Sequence, residues 1–241
     1  MHFIRAICFD LDNTLWDVWP PIMRAERATY EFLRERYPKV VANLTMEAMR
    51  AARERVAIDH PHMSHDFSFL RKQALRNHAS EHGYPASLAE EAFEVFLQHR
   101  NQIELYAEVL PVLHTLHAKY RLFSASNGNA DLKRIGLAHL FERSVAAREV
   151  GALKPHASVF LKVIESTGLE PHEVLFVGDD PELDVDGARR VGMHGVWINR
   201  TEAVWPSRLA PPPYAVRSLH ELAGLLGLDR NGAAEPSFDD T

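Results

Sequence analysis

Two carboxylates stand two residues apart directly after a short apolar run near the start of the chain. The run is Ala6-Ile7-Cys8-Phe9, and the acids are Asp10 and Asp12. At about 4 Å and an effective dielectric constant of 20, two such charges repel by ~4 kcal/mol. A cation or a shared proton would relieve that repulsion, whereas a polar strand exit with helix-capping acids is the structural alternative. The pair is therefore a candidate site for chemistry that binds a cation or moves a proton.

A second acidic segment begins where another apolar run ends. The run Val174-Leu175-Phe176-Val177 leads into Gly178-Asp179-Asp180, and Asp184 follows. A calcium-binding loop starting at Glu182 is excluded because Met193 stands at its twelfth position, where such a loop needs a bidentate glutamate. The interpretations that remain are a second carboxylate group of the same site or a solvated acidic turn.

Two further segments carry groups that bind an oxyanion. The predicted strand Arg121–Ala125 leads into Ser126-Asn127-Gly128, whose hydroxyl, amide and backbone N–H groups can donate hydrogen bonds. Lys154, before Pro155, follows a predicted strand at Ser144–Ala147, and its ammonium can neutralise a phosphate or a carboxylate. Taken separately, the first is equally typical of a turn and the second of a surface lysine.

The elements that must position these residues follow from the apolar runs. Strands that are apolar without alternation are buried on both faces, as in a parallel sheet covered by helices. Val196–Ile198 is a further strand candidate, and Val159, Phe160 and Val163 lie on one face of a predicted helix. We therefore predict an α/β fold with a Rossmann-like parallel sheet and helices on both faces, whose ligands bind at the carboxyl ends of the strands.

The segment between the first strand and the rest of this pattern is predicted to be entirely helical. Pro20-Pro21 favours the start of a helix that stops at Tyr37-Pro38. Thr45 is a candidate N-cap, and Ser87-Leu88-Ala89-Glu90 is predicted to form a capping box. Such an insert can cover a site, exclude water and select a substrate. The predicted division is a core of residues 1–16 and 108–228, a helical cap of residues 17–107, and a mobile tail of residues 229–241.

Composition narrows the class of protein. The 241 residues are 46% hydrophobic and 25% charged, as in ordinary globular proteins. The net charge of −6 argues against a general binder of nucleic acid or of anionic membranes. Cys8 is the single cysteine, so no intrachain disulfide is possible. Without a signal peptide or a long apolar stretch, we expect a cytoplasmic protein whose partner is a small molecule, and the oligomeric state stays open.

The four motifs together, in this order, resemble those of the haloacid dehalogenase-like hydrolase superfamily. The matching residues are Asp10-x-Asp12-x-Thr14, Ser126-Asn127-Gly128, Lys154-Pro155, and Gly178-Asp179-Asp180 with Asp184. The resemblance runs from about Ile4 to Arg200, and the helical insert occupies the place of that superfamily's first type of cap. Four segments are similar to those of the branch that hydrolyses flavin mononucleotide or the phosphate ester 5-amino-6-(5-phosphoribitylamino)uracil, an intermediate of riboflavin synthesis: Trp19–Arg27, His65-Asp66, Ser126–Ala130 and Val177–Asp180.

The resemblance implies a magnesium-dependent phosphatase that works through an aspartyl-phosphate. Asp10 would be the nucleophile, and Asp12 would be the acid that protonates the leaving oxygen and then the base that activates water. The Asp10 carboxylate, the Asp12 main-chain carbonyl and Asp179 would hold Mg²⁺, an all-oxygen set. The implied phosphate-binding residues are Ser126, Asn127 and Lys154, and the implied supporting residues are Thr14 and Asp184.

Alternatives from other classes stay open at this point. A sugar phosphomutase would keep the same motifs, and a non-catalytic binding module could keep the same fold. The haloacid dehalogenases proper need no metal and lack an aspartate at the position of Asp12, which disfavours that activity. His60, His62 and His65 are more typical of a partly exposed loop than of a metal site. Four aromatic residues could stack on a flavin or pyrimidine ring, although aromatic residues at helical spacing more often belong to the core: Trp16, Trp19, Phe67 and Phe69.

Overall fold

Six parallel strands form the sheet at the centre of this protein. A computed structural model describes residues 4–228, and the strand order across the sheet is β3-β2-β1-β4-β5-β6. The strands are β1 Ala6–Phe9, β2 Arg121–Ser126, β3 Arg143–Ala146, β4 Val174–Gly178, β5 His194–Ile198 and β6 Tyr214–Val216. β1 lies between β2 and β4, so the carboxyl ends of these three strands meet at the middle of one edge of the sheet.

Five helices come between β1 and the rest of the core. They are α1 Trp19–Arg36, α2 Pro38–Val41, α3 Met46–Asp59, α4 Phe67–Glu81 and α5 Ser87–Arg100, with a 3₁₀ turn at Pro61–Met63. Their apolar faces build two hydrophobic clusters of their own, which contain no residue of the sheet. The helices therefore pack chiefly on one another, as an inserted helical cap requires. The boundaries of this unit near residues 17 and 107 stay a prediction.

The remaining helices cover the two faces of the sheet. They are α6 Val109–His117, α7 Leu132–Ile135, α8 Ala147–Val150, α9 Ala157–Ile164, α10 Gly187–Arg190 and α11 Leu219–Leu225, with 3₁₀ turns at Ala138–Leu140 and Pro171–Glu173 and a π-helix at Pro181–Asp186. Successive side chains of β1 point to opposite faces. Ile7 and Phe9 join the cluster that contains α6 and α11, while Ala6 and Cys8 join the cluster under α9. Both faces are buried, which explains why the sequence of β1 is apolar without alternation.

Several local predictions meet a direct structural test. Thr45 is confirmed as the N-cap of α3, since its hydroxyl accepts a hydrogen bond from the N–H of Ala48 at 3.2 Å. The capping box predicted at Ser87 is wrong, because Ser87 is already the first helical residue and the N-cap, Ala86, makes no side-chain bond. The strand predicted at 144–147 lies one residue earlier, since Ala147 begins α8.

Two further points concern the ends and the length of the elements. β6 was not predicted, because three residues at the edge of the sheet carry too little pattern. The tail predicted at residues 229–241 lies outside the described residues. Between residues 4 and 228, no helix has both the length and the apolar character that crossing a membrane requires.

Candidate active site

Asp10 is the first residue beyond β1, at the middle of the sheet edge. Its main-chain N–H donates to the carbonyl of Val177 in β4 at 2.8 Å, so the hydrogen bonding between the two strands continues one residue beyond β1. This bond fixes the position of the Asp10 backbone. The Asp10 side chain is buried. A buried carboxylate needs a charged or hydrogen-bonding partner, since its desolvation is costly. That partner comes from elsewhere in the chain.

Lys154 supplies this partner. Its Nζ lies 2.5 Å from Oδ1 of Asp10 and 2.6 Å from Oδ1 of Asp184, and all three side chains are buried. The main chain of Lys154 is held by Asn127, whose Oδ1 accepts from the Lys154 N–H at 2.8 Å and whose Nδ2 donates to the Lys154 carbonyl at 3.3 Å. The side chain of Asn127 thus positions the lysine.

Asp179 and Asp184 complete the acidic group. Asp179 follows β4, and its main-chain carbonyl accepts a hydrogen bond from Trp197 Nε1 at 2.8 Å. Asp184 lies on the π-helix, where its Oδ2 accepts from the N–H of Asp180 at 3.0 Å. Its carboxyl group lies so close to Gly178 that a β-carbon at that glycine would overlap it. One carboxylate oxygen from each of Asp10, Asp179 and Asp184 lies within 4.8 Å of the other two.

Burial first, and repulsion between like charges second, raises the pKa of the carboxyl groups of Asp10 and Asp179. Burial raises the pKa of Asp10 well above its usual value; Lys154 opposes the rise, and Asp184 and Asp179 add to it. Burial, followed by repulsion from Asp184, raises the pKa of Asp179 to about 7. Burial lowers the pKa of Lys154, but attraction to Asp10 and Asp184 outweighs it, so the pKa is raised and the ammonium keeps its proton. The group therefore favours the arrival of further positive charge.

A divalent cation fits this donor set. Three carboxylates and one ammonium leave a formal charge of −2, and carboxylate oxygens are the ligands that hard cations such as Mg²⁺ prefer. Among the described residues, this is the one group of three or more acidic, histidine or cysteine side chains whose ligand atoms converge. His60, His62 and His65 do not form such a group; the rings of His60 and His62 stack with centroids 6.2 Å apart.

Asp12 occupies a different environment from Asp10. Trp16 Nε1 donates to its Oδ1 at 2.7 Å, and one terminal nitrogen of Arg100 lies 2.6 Å from Oδ1 and 2.7 Å from Oδ2. Arg100 is the last residue of α5, and its side chain is 1% exposed. The contact between Arg100 and Asp12 therefore joins the helical insert to the core through an ion pair. Arg100 is not among the predicted site residues, although its place on the face of α5 that carries Phe93 and Phe96 indicates that it is buried.

Ser126 and Thr14 are the remaining predicted residues, and only Ser126 lines the site cavity. Ser126 ends β2, and its Oγ accepts from the N–H of Gly128 at 2.9 Å. Thr14 is fully buried, and its hydroxyl has no hydrogen-bond partner among the described residues. The main chain of the loop after β1 is held by Arg200, whose Nε donates a hydrogen bond to the Thr14 carbonyl at 3.0 Å.

These side chains face two adjacent cavities. The site cavity, of about 300 Å³, is lined by every predicted site residue except Thr14: Asp10, Asp12, Ser126, Asn127, Lys154, Asp179 and Asp184. The cap cavity, of about 430 Å³, is lined by the insert and shares Ile22, Phe67 and Asn129 with the site cavity. Trp16 is part of the core, as expected of most aromatics, whereas Trp19 and Phe67 are exposed and line the cap cavity.

The arrangement has the parts needed to act on an anion. A buried carboxylate that could attack, a second carboxylate that could exchange a proton, a lysine and a group that could hold a cation lie around one cavity. The positive groups would offset the charge of an anionic substrate.

Comparison with known proteins gives concordant matches. A family model described as haloacid dehalogenase-like hydrolase matches residues 4–192. The 5-amino-6-(5-phospho-D-ribitylamino)uracil phosphatase YigB of Escherichia coli (strain K12) is 31% identical over 216 residues, which cover 86% of this chain and 90% of the relative.

Two solved structures are similar as well. The 2-haloacid dehalogenase from Pseudomonas syringae pv. Tomato DC3000 superposes with a TM-score of 0.87 at 34% identity, covering 93% of this chain and 98% of that one. A HAD phosphatase from Thermococcus onnurineus superposes with a TM-score of 0.68 at 28% identity, covering 94% and 100%.

Proposed function

Because the chain belongs to the haloacid dehalogenase-like hydrolase family, we propose that it is a magnesium-dependent phosphatase that hydrolyses a small-molecule phosphate monoester. The convergence of Asp10, Asp179, Asp184 and Lys154 at one cavity, with Asp12 beside them, is the observation that carries this proposal. The phosphatases among its relatives support the same class of reaction.

Asp10 acts as the nucleophile in the proposed reaction. One of its carboxylate oxygens forms a bond to phosphorus while the bond from phosphorus to the ester oxygen breaks. Asp12 gives its proton to that leaving oxygen, and the alcohol departs. Lys154, already in contact with Asp10, offsets the charge of the phosphoryl oxygens together with the hydroxyl of Ser126 and the backbone N–H groups of the loop.

Water completes the cycle. Asp12, now a carboxylate, takes a proton from a water molecule whose oxygen attacks phosphorus. The bond between phosphorus and the Asp10 oxygen breaks, and inorganic phosphate leaves. Asp12 is thereby protonated again for the next turnover. Asn127 and Asp184 contribute by holding Lys154 in place.

The metal would be held by the carboxylates of Asp10 and Asp179 and by the main-chain carbonyl of Asp12. Asp184 would support this set through its contacts with Lys154 and with the N–H of Asp180. When bound, Mg²⁺ supplies positive charge that lets a phosphate dianion approach the acidic group. Without it, the substrate would face a group that already carries a formal charge of −2.

Flavin mononucleotide and 5-amino-6-(5-phosphoribitylamino)uracil are the substrates we propose first. The second is the compound named for the Escherichia coli relative, which matches most of this chain. Both join a phosphate to a ring through a ribityl chain, and the cap cavity adjoins the site cavity where such a leaving group would extend.

The similar dehalogenase structure makes dehalogenation the second candidate. Asp12 argues against it, since the dehalogenases proper lack an aspartate at this position.

A direct assay separates these activities. The purified protein should release phosphate from an aryl phosphate when Mg²⁺ is present, and EDTA should stop the release. Asp10→Asn should abolish turnover. Asp186→Asn is the control, because this acid lies in the segment of Asp179 and Asp184 but pairs with Arg190 outside the site cavity.

Each competing function has its own signature. Chloride release from 2-chloropropionate would identify a dehalogenase, and isomerisation of a sugar phosphate with little free phosphate would identify a phosphomutase. A binding module would give neither. Undiminished turnover by Asp10→Asn would overturn the assignment of the nucleophile.

A further inference from the structure

Two hydrogen bonds fix the peptide group that joins Asp179 to Asp180. Its carbonyl oxygen accepts from Trp197 Nε1 at 2.8 Å, and its N–H donates to Asp184 Oδ2 at 3.0 Å. A peptide group is planar, so holding its oxygen and its hydrogen fixes the orientation of the whole group. The side chain of Asp179 starts from the α-carbon beside this group. The direction of the Asp179 carboxylate therefore depends on both hydrogen bonds.

The two side chains that fix this peptide group differ in kind. Asp184 belongs to the acidic group itself, where it also contacts Lys154. Trp197 is uncharged and lies in β5, opposite Gly178 of β4. Its side chain is buried and lines neither the site cavity nor the cap cavity. Trp197 therefore acts on the site through the main chain of Asp179, without touching a substrate.

Trp205 packs against the indole ring of Trp197. The two ring centroids lie 5.1 Å apart at an interplanar angle of 69°, an edge-to-face arrangement. Trp205 belongs to the β5–β6 loop, residues 199–213. The Nε1 of Trp205 donates to the carbonyl of Leu209 in the same loop at 3.4 Å. The two indoles thus share one ring contact, but their N–H groups have different partners, and that of Trp197 holds Asp179.

The β5–β6 loop is anchored beside the acidic group. Arg208 of this loop pairs with Glu182, which lies on the π-helix that carries Asp184. Arg189 of α10 donates from Nη1 to the carbonyl of Ala210 at 3.2 Å. These contacts join the loop that contains Trp205 to the segment that follows Asp179. The indole of Trp197 is therefore held between the sheet and an anchored loop.

We propose that Trp197 is a positioning residue for the metal: its indole N–H holds the main chain of Asp179 so that the carboxylate of Asp179 is oriented before an ion binds. A residue that orients a metal ligand raises the metal affinity although it does not touch the metal. This inference rests on the proposed function, because it names a residue that tunes the Mg²⁺ affinity of the same site.

Removing the N–H while keeping an aromatic ring tests the proposal. Trp197→Phe should raise the Kd for Mg²⁺ about tenfold, the lower end of the range for residues that orient metal ligands, in calorimetric titration of the metal-free protein. At saturating Mg²⁺, kcat for an aryl phosphate should stay within about threefold of the wild-type value, because Trp197 contacts none of the reacting groups. A purely structural role would lower Tm in EDTA and leave the Kd unchanged, which would overturn the proposal.

Trp205→Phe is the matched control. It exchanges an indole for a phenyl ring in the same pair, but the N–H that it removes faces Leu209 instead of Asp179. Its Kd for Mg²⁺ should stay within about twofold of the wild-type value. An equal rise in both variants would overturn the proposal, since packing of the pair would then set the affinity.

A second variant serves if Trp197→Phe does not fold. Trp205→Ala removes the ring that packs against Trp197 and should raise the Kd for Mg²⁺ at least ~3-fold, because the indole N–H is then held less firmly. An unchanged Kd for this variant would overturn the proposal.

The wild-type protein separates failure of this inference from failure of the proposed function. If the wild type binds Mg²⁺ and Trp197→Phe binds it equally well, the inference fails and the metal site stands. If the wild type binds no Mg²⁺, the metal dependence of the proposed function fails, and the inference fails with it. A loss of kcat at saturating Mg²⁺ with an unchanged Kd would also overturn the inference, because Trp197 would then affect the reaction and not the metal.

Discussion

The contact between Arg100 and Asp12 predicts a measurable coupling between the cap and the core. We expect Arg100→Met and Asp12→Asn each to destabilise the metal-free protein by about 3 kcal/mol, because each leaves a charged partner without its counter-ion at a poorly solvated position. The double variant should lose less than the sum of the two. The difference is the coupling free energy of the pair.

The structure sets the expected size of that coupling. One nitrogen of Arg100 contacts both oxygens of Asp12, at 2.6 and 2.7 Å, so the two contacts count as a single shared hydrogen bond between charges. Such a bond contributes ~1.5–3 kcal/mol. The Asp12 side chain is 19% exposed, which lets solvent weaken the attraction. We therefore expect a coupling of about 2 kcal/mol.

A surface pair of the same length is the matched control. Arg134 and Glu94 approach to 2.7 Å, but their side chains are 39% and 60% exposed. The cycle of Arg134→Met and Glu94→Gln should give less than ~1 kcal/mol, because water screens both charges. Urea unfolding in EDTA, followed by circular dichroism, measures both cycles. A coupling for Arg100 and Asp12 below about 0.5 kcal/mol, or equal to that of the surface pair, would refute the reasoning.

Three further predictions concern the acidic group. Asp179→Asn should need at least ~10-fold more Mg²⁺ than the wild-type protein to raise Tm, while Asp186→Asn should behave as wild type; equal requirements would remove Asp179 from the metal site. Gly178→Ala should lower stability by ~2–3 kcal/mol in thermal unfolding, because the new β-carbon overlaps the carboxyl group of Asp184; an unchanged Tm would contradict that packing. Lys154→Met should cost ~3–5 kcal/mol near neutral pH by leaving Asp10 and Asp184 unpaired. Burial raises the pKa of Asp10, so the folded state of this variant binds more protons than the unfolded state, and stability in EDTA should recover as the pH falls; a loss of stability on acidification would contradict this sign.

The sheet and the meeting of acids at its edge are predictable because each rests on local pattern. The apolar runs at Ala6–Phe9 and Val174–Gly178 are buried on both faces, so their sequences need no alternation. Parallel strands place their carboxyl ends at one edge, which brings Asp10 and Asp179 together although 169 positions separate them along the chain. The order of the parallel strands therefore determines where Asp10 and Asp179 lie.

The parts that were missed depend on contacts that leave no local pattern. Arg100 meets Asp12 because α5 returns to the core; its place on the apolar face of α5 indicates burial but does not identify Asp12 as its partner. The contact of the Asn127 side chain with the main chain of Lys154 joins two segments that lie 27 positions apart, and no local pattern predicts it. Ser87 shows the opposite error, since a matching motif is present and the helix begins one residue too early to use it.

The lysine between Asp10 and Asp184 would separate folding of this protein from binding of the proposed metal. An acidic group held together by a cation alone would come apart in a chelator, as small zinc domains do. Here the chain supplies its own internal counter-ion, so the polypeptide can reach its folded form first and exchange metal afterwards. Chelation should therefore switch the protein off reversibly, and returning the ion should restore it without a refolding step.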